Sequence, residues 1–149
     1  MNTKRTLAAA IALTCALGLS ACNQQESMSE TAEDVAEAQT EAGEEIADAS
    51  RDMAETTQEA RENLAEADSL DEAAEAKADG MEARAESAYD LAIAKAEGEM
   101  KIAKERCDAL PSDQQSACNK AAEAAYDSAK ATAETLRESA ERTADKIDS

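Results

Sequence analysis

The stretch CDALPSDQQSAC, residues 107–118, decides how the chain folds. Pro111 ends a helix, because its ring clashes with the preceding helical turn and it has no N–H to donate. Ser112, followed three residues later by Gln, is a capping-box pattern that predicts the start of the next helix. One cysteine therefore lies in the last turn of one helix and the other lies early in the next. We predict an antiparallel helical hairpin closed by a Cys107–Cys118 disulfide.

The rest of the composition is typical of long helices with narrow contacts. The chain has 149 residues, of which 34 are acidic and 15 are basic, and it contains no His, Trp or Phe. Much of its 43% hydrophobic content is alanine, which contributes far less on burial than the roughly 1.5–3 kcal/mol of a large side chain. We therefore predict an all-α fold without a globular core. Composition leaves partial disorder open as the alternative, foremost in the first half of the chain.

Residues 1–21 have the organisation of a signal peptide. Two basic residues precede an apolar run at 7–17 that is too short to span a bilayer. The letters LSAC at 19–22 resemble the lipobox of bacterial lipoproteins. This resemblance implies cleavage between Ala21 and Cys22, a diacylglycerol thioether on the Cys22 thiol, and acylation of its amine. The alternative is an ordinary signal peptide that happens to end near a cysteine.

Lipidation of Cys22 would fix the location of the protein. Two or three acyl chains, at about 0.8 kcal/mol per buried CH₂, anchor a protein stably. In enterobacterial-type lipoproteins an Asp after the lipidated Cys implies retention in the inner membrane. Asn23 stands at that position here, so the resemblance implies the outer membrane, with the chain facing the periplasm. Disulfides persist in that compartment. A metal site and a redox switch stay open for Cys107 and Cys118, although zinc prefers four N or S ligands.

The mature chain divides into three predicted parts. These are a lipidated tether at 22–27, an acidic amphipathic helix at 28–68 and the disulfide-closed hairpin at 69–149. Serines at 27 and 69, each followed three residues later by Glu, are further capping boxes that mark the two helix starts. Gly80 is expected to bend the helix that contains it, since an interior glycine costs roughly 1 kcal/mol against alanine.

The acidic helix carries only a thin apolar stripe, without a sustained heptad. Its positions are Val35, Ala42, Ile46, Ala49, Met53, Ala60 and Leu64. Such a weak face predicts that the helix needs a partner or stays marginal. Residues 54–61 also resemble the eleven-residue repeats of late-embryogenesis-abundant proteins. That resemblance implies a protectant that orders on drying or on meeting a surface.

The hairpin register follows from the cysteines. Pairing them opposes Ala103 with Ala122, Met100 with Ala125, Ala96 with Ala129, Ile93 with Thr132, and Tyr89 with Leu136. Every layer then sets a large side chain against a small one, or two small ones together, so the helices approach closely. Residues 89–126 resemble uncharacterised proteobacterial envelope proteins that have a Cys-Asp-Ala-Leu turn between alanine-rich helices and a second Cys eleven residues on. In their turn those proteins often have Gly-Asp, where this chain has Pro-Ser. The resemblance implies the hairpin and carries no activity.

Charge and missing motifs limit the function. Residues 26–75 hold 18 acids and two arginines, a net −16, whereas 77–149 have a net −5. We interpret the acidic half as a solvated face; the alternative is a surface that binds cations or cationic peptides. Its acidic residues do not have the spacing of an EF-hand calcium loop. Without His, a phosphate loop or a nucleophile elbow, we expect no enzyme, cofactor, metal site or small-molecule substrate. The net charge of −19 disfavours nucleic acid.

The sequence thus predicts a non-enzymatic, lipid-anchored helical envelope protein that acts as a periplasmic spacer or scaffold. We expect its partners to be the membrane, through the lipid, and further copies or other envelope proteins. It resembles the murein lipoprotein in plan, but 146–149 lack a C-terminal Lys for peptidoglycan attachment. The alternatives are the stress protectant and the acidic module for cations or cationic peptides.

Overall fold

The computed structural model describes residues 27–148, and this part of the chain is helical without a strand. Helix α1 spans Met28–Glu66, α2 spans Leu70–Asp108 and α3 spans Ser112–Asp148. The predicted all-α class and the predicted helix starts are confirmed. The signal peptide, the cleavage site at Ala21 and Cys22, and nearly all of the tether lie outside the described residues.

Capping boxes start α1 and α2, as the sequence predicts. The Ser69 hydroxyl accepts the Glu72 N–H at 3.2 Å, and the Glu72 carboxylate accepts the N–H groups of Ser69 and Asp68. Ser27 and Glu30 repeat the arrangement at α1. The hydrogen bond from the Ser27 backbone lowers the pKa of the Glu30 carboxyl. These local bonds satisfy first-turn N–H groups and fix the three-residue turn between α1 and α2.

Helix α2 lies between the other two. Ala96 faces α3 and Gly98 faces α1; two residues correspond to about 200° around a helix, so the two contact faces of α2 are nearly opposite. Over the described residues no Cα atom of α1 lies within 8 Å of one in α3. The three helices therefore run antiparallel in succession, and α1 and α3 each have α2 as their single neighbour.

Only small residues are buried in residues 27–148. They are Thr31, Ala38, Ala42 and Ala60 in α1, Ala78, Gly80, Ala96, Gly98 and Cys107 in α2, and Ala122, Ala133 and Ala144 in α3. Many are separated by 11 or 18 residues, which correspond to about three and five helical turns. In α1 the buried positions Thr31, Ala38, Ala42 and Ala60 are separated by 7, 4 and 18 residues.

Glycines set the contact between α1 and α2. A Cβ placed on Gly98 would lie 2.6 Å from the Cβ of Ala42, and one on Gly80 would lie 2.8 Å from that of Ala60. Helix α2 continues through Gly80 without interruption. This glycine lets the backbone of α1 approach, which offsets the conformational cost of an interior glycine.

The hairpin has the predicted register. Cys107 and Cys118 form a disulfide with a Cα–Cα distance of 5.6 Å. The predicted partners Met100 and Ala125 line one cavity, and Tyr89 and Leu136 line another.

The prediction for the part of the α3 face that follows Ala129 is wrong. Thr132 and Leu136 are exposed, the latter to 67%, while Ala133 is buried in their place. Buried positions on α3 repeat every 11 residues, at Ala122, Ala133 and Ala144, whereas the predicted face follows steps of three and four residues that drift away from this line. In the acidic helix, likewise, Leu64 of the predicted stripe is 44% exposed.

Candidate interaction surfaces

The disulfide closes the end of the molecule that also holds the start of α1. Cys107 is fully buried and Cys118 is half-buried. The Gln115 amide of α3 donates to the carbonyl oxygens of Asp108 and Leu110, both at 3.0 Å, and so caps the last turn of α2. The two cysteines are thus part of a tightly bonded turn, which accounts for them structurally without a metal ion.

Two cavities follow the groove between α2 and α3. The first, of about 210 Å³, is lined by Ala96, Glu99, Met100, Ala103, Ala122, Ala125, Tyr126 and Ala129. The second, of about 250 Å³, is lined by Ala85, Ala88, Tyr89, Ala92, Ala133, Leu136, Arg137 and Ala140. Each lining residue of the second lies 11 residues from one of the first on the same helix. The groove is therefore an 11-residue repeat, with a period of about 16 Å along the helices.

Tyrosines and their charged neighbours lie along this groove. The Tyr126 hydroxyl donates to the Glu97 carboxylate at 3.3 Å, and burial, followed by the Glu97 charge, raises the pKa of Tyr126. The Arg137 guanidinium lies 4.9 Å from the centre of the Tyr89 ring, a cation–π contact. Its hydrogen bond to Glu86, at 3.0 Å, raises the pKa of Arg137. These contacts fix the rotation of α3 relative to α2.

Two further ion pairs join the helices. Lys101 of α2 bonds Glu45 of α1 at 2.9 Å, and this hydrogen bond raises the pKa of Lys101. Lys104 of α2 bonds Glu123 of α3 at 2.8 Å, which lowers the pKa of Glu123. All four side chains are more than a third exposed, so solvent screens both pairs. Their main effect is to favour one alignment of the helices, because Lys101 joins α2 to α1 and Lys104 joins α2 to α3.

The acidic surface of α1 has shallow hollows that are open to solvent. One is lined by Glu55, Gln58, Glu59 and Glu62, and another by residues that include Asp34, Glu41 and Lys101. Among residues 27–148 no group of three Asp, Glu or Cys side chains is arranged to hold a metal ion. Most of the α1 carboxylates lie on exposed helix faces.

None of α1, α2 and α3 is both long and apolar enough to cross a membrane. No protein-family model matches the sequence, and comparisons with curated proteins and with solved structures give no match. The candidate surfaces therefore stand on their own geometry. Cys107 and Cys118 are brought together as predicted, whereas Ala21 and Cys22 lie outside the described residues.

The sequence interpretation missed two features. One is the glycine–alanine contact between α1 and α2, signalled by the equal separation of 18 residues from Ala42 to Ala60 and from Gly80 to Gly98. The other is the 11-residue repeat of the groove, which its alanines repeat on both helices. Alanine is so frequent in this chain that neither pattern is distinctive before the helices are placed together.

Proposed function

We propose that the chain is a lipid-anchored helical envelope protein that acts as a periplasmic spacer or scaffold. The observation that supports it best is the length and order of the helices after the lipobox-like stretch. Helix α1 begins at Met28, six residues after Cys22, and its 39 residues extend about 58 Å. A rod of this length attached by one end is suited to holding other components at fixed distances from a membrane.

The topology assigns the two ends of the rod. The start of α1 lies beside the end of α2, as the Glu45–Lys101 ion pair indicates. In the proposed orientation the disulfide turn is therefore near the membrane, and the turn at 67–69 is distal. The C-terminal end of α3 is also distal, because α3 runs antiparallel to α2.

The anchor is tested by comparing the full-length protein with Cys22→Ser in a Gram-negative host. We expect the wild-type chain in the membrane fraction with an acylated N-terminal peptide starting at Cys22. The variant should leave that fraction. A wild-type peptide that begins at residue 22 without acyl chains would contradict the anchor while leaving the helical rod untouched.

The spacer role is tested with a photocrosslinking residue placed at either end of the rod in the intact envelope. A probe at Asp68 should capture components distant from the membrane, and a probe at Asp113 should capture components close to it. Capture of the same components from both positions would contradict a spacer. Absence of any captured component would contradict a scaffold.

The stress protectant is a second candidate, favoured by the 11-residue spacing of buried positions. Helix α1 buries only Thr31, Ala38, Ala42 and Ala60, so little free energy holds it on α2. Drying an unstable enzyme with and without the full-length protein tests this role. Recovery of enzyme activity no better than with an equal mass of serum albumin would exclude it.

A further inference from the structure

Helices α1 and α2 pack together although both carry a net negative charge. Helix α1 holds 13 acidic residues and two arginines, which gives −11 over Met28–Glu66. Helix α2 holds 11 acidic and six basic residues, which gives −5 over Leu70–Asp108. Since the two helices lie side by side, their charges repel each other along most of α1. Contacts of short range must therefore hold α1 on α2.

The surface that holds α1 is narrow. One threonine and three alanines of α1 are buried, and none of them has a large side chain. Ala42 and Ala60 lie against Gly98 and Gly80. Between these two contacts a serine–threonine hydrogen bond of 2.9 Å joins the helices. Because such small side chains contribute little free energy on burial, a modest rise in repulsion is enough to separate the helices.

One ion pair acts against the repulsion. Lys101 of α2 bonds Glu45 of α1 at 2.9 Å, and within residues 27–148 no other ion pair joins these two helices. Lys104 of α2 bonds α3 instead, and Arg84 donates to a carbonyl of its own helix. Both side chains of the Lys101–Glu45 pair are at least 40% exposed, so solvent weakens their attraction.

Salt changes the repulsion more than it changes this pair. The Debye length is about 8 Å at 0.15 M salt and about 30 Å at 0.01 M. In dilute salt a carboxylate of α1 therefore interacts with charges along several turns of α2, whereas at 0.15 M it interacts with its nearest neighbours. The Lys101–Glu45 distance of 2.9 Å is well within both lengths, so that attraction changes little. Lowering the salt concentration thus adds repulsion without a matching attraction.

We propose that α1 is a salt-dependent arm, which lies on α2 at an ionic strength of about 0.15 M and separates from α2 in dilute salt. The hinge is the three-residue turn at 67–69. Helix α3 stays on α2, because the disulfide joins them and α1 has no contact with α3. The separated arm also loses helical structure, since a helix with a weak apolar stripe is marginal alone.

The arm responds to screening and does not need a bound ion. Among residues 27–148 no group of carboxylates is arranged to hold a metal, and screening acts on all of the exposed charges together. Separation uncovers the side of α2 that contains Gly80 and Gly98, so the surface that the molecule presents changes with ionic strength. The arm does not depend on the proposed anchor or spacer role.

Hydrogen exchange of the full-length chain tests the arm, with Cys15→Ser and Cys22→Ser included to remove acylation and stray thiols. Exchange is compared in about 10 mM and about 0.5 M NaCl, each relative to the urea-unfolded chain at the same salt. We expect the amides of α1 to exchange at least about tenfold faster in dilute salt, and those of α3 to change less than about twofold. Exchange of α1 that is unchanged or slower in dilute salt would overturn the proposal. Equal acceleration in all three helices would overturn it too, since the whole molecule would then be opening.

Charge variants test the cause. Replacing the exposed residues Glu44, Glu55 and Glu59 by lysine changes the net charge of α1 from −11 to −5 and keeps good helix formers. Since the repulsion scales with the product of the charges, a tenfold salt effect should fall to about threefold.

The matched control makes the same change on α3. Its exposed residues Asp127, Glu138 and Asp145, replaced by lysine, alter the total charge of the chain by the same amount on a helix that does not touch α1. The salt effect on α1 should then persist. An equal reduction by both triple variants would contradict repulsion between α1 and α2 as the cause.

Discussion

Replacing Gly98 by alanine sets two effects of known size against each other. Alanine gains about 1 kcal/mol over glycine in a helix interior. A Cβ at Gly98 would lie 2.6 Å from the Cβ of Ala42, whereas carbon atoms in contact lie about 3.5–4.0 Å apart. Neither carbon can rotate away, so α1 and α2 must separate locally by roughly 1 Å. Overpacking of this kind costs about 1–3 kcal/mol. We therefore expect Gly98→Ala to be neutral or to destabilise by up to about 2 kcal/mol.

Gly43→Ala is the matched control, because a Cβ at Gly43 has no neighbour within 4 Å. It should stabilise the protein by about 1 kcal/mol, or by about 4 °C in the unfolding midpoint. The double variant Gly98→Ala with Ala42→Gly moves the methyl group to the other helix and should recover about 1–3 kcal/mol relative to the sum of the single changes. Urea unfolding followed by circular dichroism measures the wild type and four variants: Gly98→Ala, Ala42→Gly, the double variant and Gly43→Ala.

One result would refute the close packing of α1 on α2. If Gly98→Ala stabilised the protein as much as Gly43→Ala does, the added Cβ would be meeting open space. The cycle with Ala42→Gly would then show no coupling between the two positions. In that case α1 would not lie on α2 in the observed register. The result would not bear on the hairpin of α2 and α3.

Three further outcomes are expected from urea unfolding. Replacing Cys107 and Cys118 by alanine should lower the free energy of unfolding by about 3 kcal/mol, the loop-entropy value for a loop of this length; a loss under about 0.5 kcal/mol would show that the bond does not constrain the unfolded chain. Ser69→Ala should cost about 1 kcal/mol by removing the cap of α2, and an unchanged stability would contradict the capping box. The hydrogen bond with Lys104 lowers the pKa of Glu123, so it stabilises the folded chain at pH values above the ordinary pKa of glutamate, and this stability is lost as the pH falls below it. The difference in stability between wild type and Glu123→Gln should therefore shrink in acid. A constant difference would contradict the pair with Lys104.

Features encoded over a few residues could be predicted from the sequence. Pro111 ends a helix and the serines at 27 and 69 begin helices through bonds to residues three positions away, so no tertiary contact is needed to place them. The alignment of α2 and α3 along their axes could be predicted as well, because the two cysteines specify it. The side of α3 that faces α2 beyond Ala129 does not follow from the cysteines, since Thr132 and Leu136 are exposed.

The register of α1 on α2 could not be predicted in the same way. Alanine occurs on every face of both helices, so many alignments bury similar apolar area. What distinguishes the observed one is the absence of a side chain at Gly80 and Gly98, and a glycine in an isolated helix indicates only lost stability. The exposed position of Leu136 could not be predicted from the sequence for a related reason. A large aliphatic residue is normally assigned to the core, and here the core has room only for small residues.

The order of contacts makes the stability of the rod uneven along its length. The disulfide, the Gln115 cap and the Lys101–Glu45 and Lys104–Glu123 pairs all lie toward the end where α1 begins. Toward the other end α1 has the Ala60–Gly80 contact and the Ser87–Thr56 hydrogen bond, and then stops with Leu64 exposed before a three-residue turn.

Opening should therefore begin at the distal turn and release α1 first, since α1 buries only small side chains and carries most of the negative charge. Because α1 has no contact with α3, this opening leaves the hairpin in place. The hairpin therefore forms the lasting part of the structure, and α1 forms the part whose stability responds to salt.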